Sequence, residues 1–193
     1  MTNPVVSVIV AVRNGERYLP EALNSIVTQT YQPDEVIVVD GDSTDNTENI
    51  AKSYPQVTFL RQPGKGIPNA YKFGIEKARG DLLAFLSHDD LWTPNKLEVQ
   101  VNYLVSHPEV QYTIARVKFF LDDEQTIPPG FRPELLAGEP VGRIMETLVV
   151  RKSLFDRIGV FNTELTVAED VDWYARANDH QIPSHIVPEV LLH

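Results

Sequence analysis

Apolar and polar positions follow two rhythms along this chain. Over residues 5–12 (Val-Val-Ser-Val-Ile-Val-Ala-Val) β-branched side chains run almost unbroken and stop at Arg13-Asn14-Gly15, a turn signal. A short continuous run of this kind predicts a strand covered on both faces, as in a parallel sheet. From 16 to 29 the rhythm becomes helical, with Tyr18, Leu19, Ala22, Leu23, Ile26 and Val27 on one face. The alternation then repeats. Strands are predicted over 35–40, 57–60 and 82–86, and helices after the 41–47 turn to about 54, over 69–78 and over 94–105. Ser43 or Thr44 is the expected cap of the first of these helices, and Gly80 the stop of the second. Strand and helix thus alternate four times in about a hundred residues. This predicts an α/β fold: a doubly wound, mostly parallel central sheet with helices on both faces and right-handed crossovers.

The second half reads differently. A strand is predicted over 111–120, but residues 122–143 are rich in Pro, Gly and acids and show little periodicity. A long irregular stretch inside a compact domain is usually a lid or a binding loop. Regular structure resumes with a strand over 146–150, a short helix over 153–158, and a helix from Glu169-Asp170 to about 178. A last strand is expected at 185–187 or 190–192. No repeat, low-complexity tract or linker divides the chain, so its 193 residues are read as one domain.

Composition narrows the chemistry. The chain has no cysteine, which excludes disulfides, thiolate metal ligands and a cysteine nucleophile, and agrees with a reducing compartment, the cytoplasm being expected. The run over 5–12 is too short for a membrane span or a signal-peptide core with its cleavage site, so a soluble chain is expected, with peripheral membrane association left open. A net charge of -10 with no basic block argues against nucleic acid as a partner. It does not argue against a nucleotide, because a divalent cation locally reverses the field that acids present to a diphosphate.

The candidate chemistry sits where the strand over 82–86 gives way to Ser87-His88-Asp89-Asp90. In open α/β sheets ligands bind just beyond the carboxyl ends of the strands. Two adjacent carboxylates there suit Mg2+ or Mn2+, held together with substrate phosphates. The competing reading makes Asp89 and Asp90 caps of the helix expected near Thr93-Pro94.

Four segments in order, Val8-Ile9-Val10-Ala11-Val12-Arg13-Asn14, Val38-Val39-Asp40-Gly41-Asp42-Ser43-Thr44-Asp45, Phe85-Leu86-Ser87-His88-Asp89-Asp90 and Ala168-Glu169-Asp170-Val171-Asp172-Trp173, resemble the family 2 glycosyltransferases of the GT-A fold. The resemblance implies an inverting transferase that moves a sugar from a nucleotide-sugar donor, a UDP-sugar being placed first, to an acceptor hydroxyl of a glycan, lipid-linked glycan or peptide. It implies a nucleotide-sugar half over about 1–106, an acceptor and catalytic half over about 107–193, and a further basic segment beyond His193. By the same resemblance Asp40 contacts the nucleoside, Val12 and Asn14 frame the base with Asp42 beside them, Asp89 and Asp90 bind the cation and ribose, and Asp170 is the catalytic base. Ordinary turn chemistry competes for Asn14 and Asp42, and the dipole of a helix start for Glu169 and Asp170. Lys65, between Gly64 and Gly66, is a candidate phosphate contact. Trp173 is read as core or acceptor wall, Arg176 as a surface or paired charge, Arg151 as an acceptor contact or the partner of a buried acid, and His193 as a frayed end. The chain departs from the family pattern at Ser87, where an Asp is common. A non-catalytic nucleotide- or carbohydrate-binding relative therefore stays in view. A sugar-1-phosphate nucleotidyltransferase or NAD-dependent dehydrogenase would need a glycine-rich turn after the first strand that Arg13-Asn14-Gly15 does not provide.

Overall fold

The computed structural model describes residues 4–121, 127, 131–165 and 168–193. Seven strands form one sheet in the order β3-β2-β1-β4-β6-β5-β7. They are β1 Val6–Val12, β2 Glu35–Asp40, β3 Val57–Arg61, β4 Leu82–Ser87, β5 Tyr112–Val117, β6 Val149–Arg151 and β7 Ser184–Leu192. The block β3-β2-β1-β4 is parallel throughout. β6 runs antiparallel to both β4 and β5, while β7 pairs parallel with β5. Strand order reverses at β1, with β2 and β3 on one side and β4 on the other, and this switch point opens a crevice at the strands' carboxyl ends.

The helices are α1 Leu19–Val27, α2 Thr47–Lys52, α3 Ile67–Lys77, α4 Lys96–Ser106, α5 Glu134–Ala137, α6 Ser153–Ile158 and α7 Glu169–Asp179. Alternate strand residues face opposite layers, as the period of two requires. Ile9, Ile37, Leu83 and Phe85 pack with Tyr71 and Ile75 of α3, Phe155 of α6 and Trp173 of α7. Val8, Val10, Val38 and Leu86 pack with Leu19, Leu23 and Ile26 of α1 and Leu97 and Val101 of α4. Gly74 lets α3 approach β1, since a Cβ there would overlap Ile9 Cγ2.

Several boundaries differ from the sequence reading. α2 is preceded by Asn46 at its cap position, not Ser43 or Thr44, because Ser43 is engaged by Asp40. α3 ends at Lys77 with Ala78 following in extended conformation, so Gly80 does not stop it. The strand expected from Glu146 is only Val149–Arg151, and Met145–Thr147 form a 3-10 turn that lifts Glu146 out of the sheet. The two alternatives for the last strand are one strand with irregular register against β5. Of the irregular stretch, residues 122–126 and 128–130 lie outside the described residues, and α5 falls within the remainder.

Candidate active site

The tips of β1 and β2 are tied into one unit. Gly41 N–H donates to the Val12 carbonyl (2.8 Å), the Asn14 N–H donates to Ser43 Oγ (2.8 Å), and the Thr44 N–H donates to Asn14 Oδ1 (3.0 Å). Asp40 is buried, and Ser43 donates to it through both its N–H (3.1 Å) and its hydroxyl. Asn14 and Asp42 both take the left-handed backbone conformation, with φ of 51° and 68°. Asx residues tolerate that region better than most. Val12, Asn14, Asp40 and Asp42 are thus brought together, with turn chemistry accounting for Asn14 and for much of Asp40. Lys65 stands exposed just before α3, where its carbonyl accepts a bond from Asn69 Nδ2 (2.7 Å).

Parallel pairing of Ala11 with Ser87 sets the tip of β4 beside that of β1. α4 begins only at Lys96, with Asn95 at its cap position, so Asp89 and Asp90 cap no helix. Asp89 is exposed, with His88 Nδ1 3.7 Å from its Oδ1. Asp90 is turned inward: burial, then the charges of Glu146 and Asp89, push its carboxyl up to about 8. A cavity of about 440 Å³ opens here, lined by Arg17, Tyr18, Asp89, Asp90, Phe119 and His193 among others. It reaches neither Asp40 nor Asp170.

Glu146, read from sequence only as a strand residue, proves central to the β4 tip. Its Oε1 accepts hydrogen bonds from Ser87 Oγ (2.7 Å) and Tyr71 OH (3.0 Å), and its carbonyl accepts one from Trp92 Nε1 (3.0 Å). Burial pushes its carboxyl above the ordinary carboxylate range, the Ser87 and Tyr71 hydroxyls oppose that rise, and the charge of Asp170 adds to it. Lys96 is fully buried nearby, its Nζ 2.6 Å from Gln100 Oε1 and 4.5 Å from the centroid of the Trp92 ring. Burial lowers Lys96 to about 7, and the charge of Glu146 works the other way. Neither residue carried a sequence signal: Glu146 sits beside an apolar run and Lys96 between Asn95 and Leu97-Glu98 in a mixed stretch.

Asp170 lies in the first turn of α7 with Glu169 and Asp172, where the helix dipole favours negative charge. Ala168 before it has φ of 64°, a strained conformation for a residue with a Cβ. The Val171 N–H donates to Asp170 Oδ1 (2.7 Å), and Tyr174 OH, one turn on, donates to the Ile144 carbonyl (3.1 Å), which locks α7 to the segment leading into Glu146.

The remaining candidates are each engaged in packing, ion pairs or hydrogen bonds. Trp173 is fully buried among Tyr112, Phe155, Phe161 and Tyr174. Arg176 pairs with Asp172 (2.8 Å) and donates to the carbonyls of Ile158 and Val160. Among the described residues Arg151 pairs with no acid; it donates to the carbonyls of Val110 (2.9 Å) and Leu104 (2.7 Å), fastening α4 to the sheet. His193 is not frayed, because its N–H and carbonyl exchange hydrogen bonds with Leu91 (2.8 Å each).

The donor chemistry fits a hard divalent cation. Inward-turned Asp90 is crowded by other carboxylates, a charge excess that a cation relieves. Among the described residues no three acidic or imidazole side chains form a metal-binding group. A cation bound here would need oxygens from elsewhere, as Mg2+ does when it shares carboxylates with substrate phosphates.

Comparison with known proteins places this geometry. The family model described as glycosyl transferase family 2 matches residues 7–163. An uncharacterized glycosyltransferase of Rickettsia typhi is 33% identical over 89% of this chain and 58% of its own length, and one of Methanocaldococcus jannaschii is 30% identical over 100% of this chain and 71% of its own. The first Rickettsia relatives are matched over only 31% to 58% of their length. Among solved structures, S. aureus TarS 1-349 in complex with UDP superposes with a TM-score of 0.76 at 21% identity, covering 97% of this chain and 59% of that one. The mannosyltransferase PcManGT of Pyrobaculum calidifontis, in complex with GDP-Man and Mn2+, gives 0.75 at 23% identity, covering 100% and 57%. These likenesses establish a GT-A-type fold.

Proposed function

This chain belongs to glycosyl transferase family 2, and on that premise we propose that it is an inverting, cation-assisted transferase acting from a nucleotide-sugar donor on an acceptor hydroxyl. The observation that carries the reading is the pair Asp89 and Asp90: they serve no helix, and Asp90 is held inward among like charges. Asp89 and Asp90 would hold a divalent cation, with oxygens of the donor diphosphate completing its shell. When bound, such a cation neutralises charge that builds on the diphosphate as it leaves. Asp40, Val12, Asn14 and Asp42 would receive the nucleoside at the neighbouring strand tips, and Lys65 the diphosphate from its exposed loop. Asp170 accepts the acceptor's proton as the acceptor oxygen bonds to the anomeric carbon and the bond from that carbon to the diphosphate breaks. Inversion follows because oxygen and diphosphate occupy opposite faces of that carbon.

Relatives of this fold solved with UDP, with UDP-GlcNAc and with GDP-Man and Mn2+ support a donor of this class. On this reading residues 1–106 form the donor half and residues 107–193 the acceptor half. No helix among the described residues is long and apolar enough to cross a membrane. A cytoplasmic setting suits a cysteine-free chain.

The test is calorimetric titration of UDP and GDP, each with Mn2+ and then with EDTA, into the wild type and Asp90→Ala. Binding of one nucleotide that needs both Mn2+ and Asp90 is the expected result. Binding indifferent to both would refute the cation site.

A further inference from the structure

Glu146 stands apart from the residues given a role above. It comes from neither the β4 tip nor α7, yet its carboxylate is held by two other elements and its backbone segment by two further side chains. Ser87 of β4 and Tyr71 of α3 both donate to Oε1 (2.7 and 3.0 Å), leaving Oε2 to neither of them. Trp92 holds the backbone through the Glu146 carbonyl (3.0 Å), and Tyr174 of α7 holds Ile144 two residues earlier (3.1 Å). A carboxylate held by two hydroxyls on a backbone that is itself pinned has lost much of its conformational freedom before any ligand arrives, as preorganised recognition requires. A purely structural role would be met by an uncharged acceptor of the same shape, without the desolvation that enclosing a carboxylate entails.

Its position narrows the ligand. Glu146 is tied to the β4 tip through Ser87, three residues before Asp90, and its segment is tied through Ile144 to Tyr174 of α7, one turn after Asp170, which sets it within Coulombic reach of both acids. On the glycosyl-transfer reading, on which this inference rests, the diphosphate lies at Asp90 and the attacking hydroxyl at Asp170. In-line displacement puts the transferred sugar between those two points. A group facing both therefore faces the sugar ring rather than the nucleotide or the rest of the acceptor.

We propose that Glu146 is a donor-sugar contact, its carboxylate accepting a hydrogen bond from a hydroxyl of the sugar being transferred. Sugar hydroxyls are donors, and an oriented carboxylate is the stronger acceptor for them. Ser87 and Tyr71 are then positioning residues, acting through Glu146.

Glu146→Gln separates contact from scaffold, because an amide oxygen still accepts from Ser87 and Tyr71. With Mn2+ present, UDP, UDP-GlcNAc, GDP and GDP-mannose are titrated calorimetrically into the wild type and the variant, and folding of both is checked by circular dichroism. The variant should bind the diphosphate as the wild type does. Its affinity for the matching sugar nucleotide, relative to that diphosphate, should fall about tenfold to a hundredfold, as expected for a lost hydrogen bond to a charged group. A deoxy-sugar donor lacking the contacted hydroxyl should show a similar loss with the wild type and little more with the variant. Equal loss for diphosphate and sugar nucleotide, or no loss for either, overturns the assignment while leaving the transferase reading intact. Failure of the wild type to bind any of the four overturns both. If the Gln variant does not fold, Glu146→Asp, which withdraws the carboxylate by one methylene, takes its place under the same criteria.

Discussion

Replacing Lys96 with methionine should stabilise the protein at neutral pH and remove a pH dependence that the wild type shows. Lys96 has no solvent exposure; its ammonium meets Gln100 Oε1 at 2.6 Å and the Trp92 ring at 4.5 Å. Burial lowers its proton affinity from the ordinary 10.5 to about 7. Between those two values the unfolded chain holds a proton that the folded chain has released, so stability from this group rises with pH by about 1.4 kcal/mol per pH unit. The cost of burying the ammonium is complete below pH 7, where both states are protonated, and vanishes above 10.5, where neither is. At pH 7 that cost is roughly 4 kcal/mol, and at pH 9 roughly 2 kcal/mol. Methionine fills the same unbranched volume and carries no proton, but leaves Gln100 Oε1 without its donor, a loss of about 1–3 kcal/mol. Lys96→Met is therefore expected to exceed the wild type by about 1–3 kcal/mol at pH 7, an advantage that fades to about zero near pH 9. Urea unfolding of both proteins at pH 7, 8 and 9 measures this, and taking the difference cancels the other titrating groups to first order. A difference that does not change with pH would mean that the ammonium stays charged in its cavity, held by Trp92 and Glu146, and would refute the reasoning.

Other expectations follow from the same geometry. Asp170→Asn should leave nucleotide binding unchanged and lower the rate of transfer by about 10²–10⁴, the range for a lost general base; turnover at the wild-type rate, followed by release of the nucleoside diphosphate, would remove Asp170 from the base role. Gly74→Ala should destabilise by about 1–3 kcal/mol, since the new methyl overlaps Ile9 where α3 lies closest to β1. Denaturant midpoints test this, and an unchanged midpoint would show that α3 can shift outward freely.

The residues that build the sheet were legible because their signal is local. Runs such as 5–12 and 35–40 need both faces covered wherever they lie, and the acids after them fall at strand tips by succession alone. The four motif segments likewise carry family membership without reference to any contact, and the family match over 7–163 agrees with them. What succession does not carry is which strand lies beside which, in what register, and where a side chain then turns. β6 enters the sheet antiparallel between β4 and β5, so the segment before it arrives over the tip of β4, and Glu146 meets Ser87 and Tyr71 from 59 and 75 residues away. The same long-range closure sends Arg151 to carbonyls rather than to an acid, and pairs His193 with Leu91. Sequence by itself determined the layers, the family and the acids at the strand tips, because periodicity and short motifs act within a few residues. Tertiary structure alone decided that Glu146 meets Ser87 and Tyr71 within Coulombic reach of Asp90 and Asp170, because only sheet order and register bring distant hydroxyls and carboxylates together.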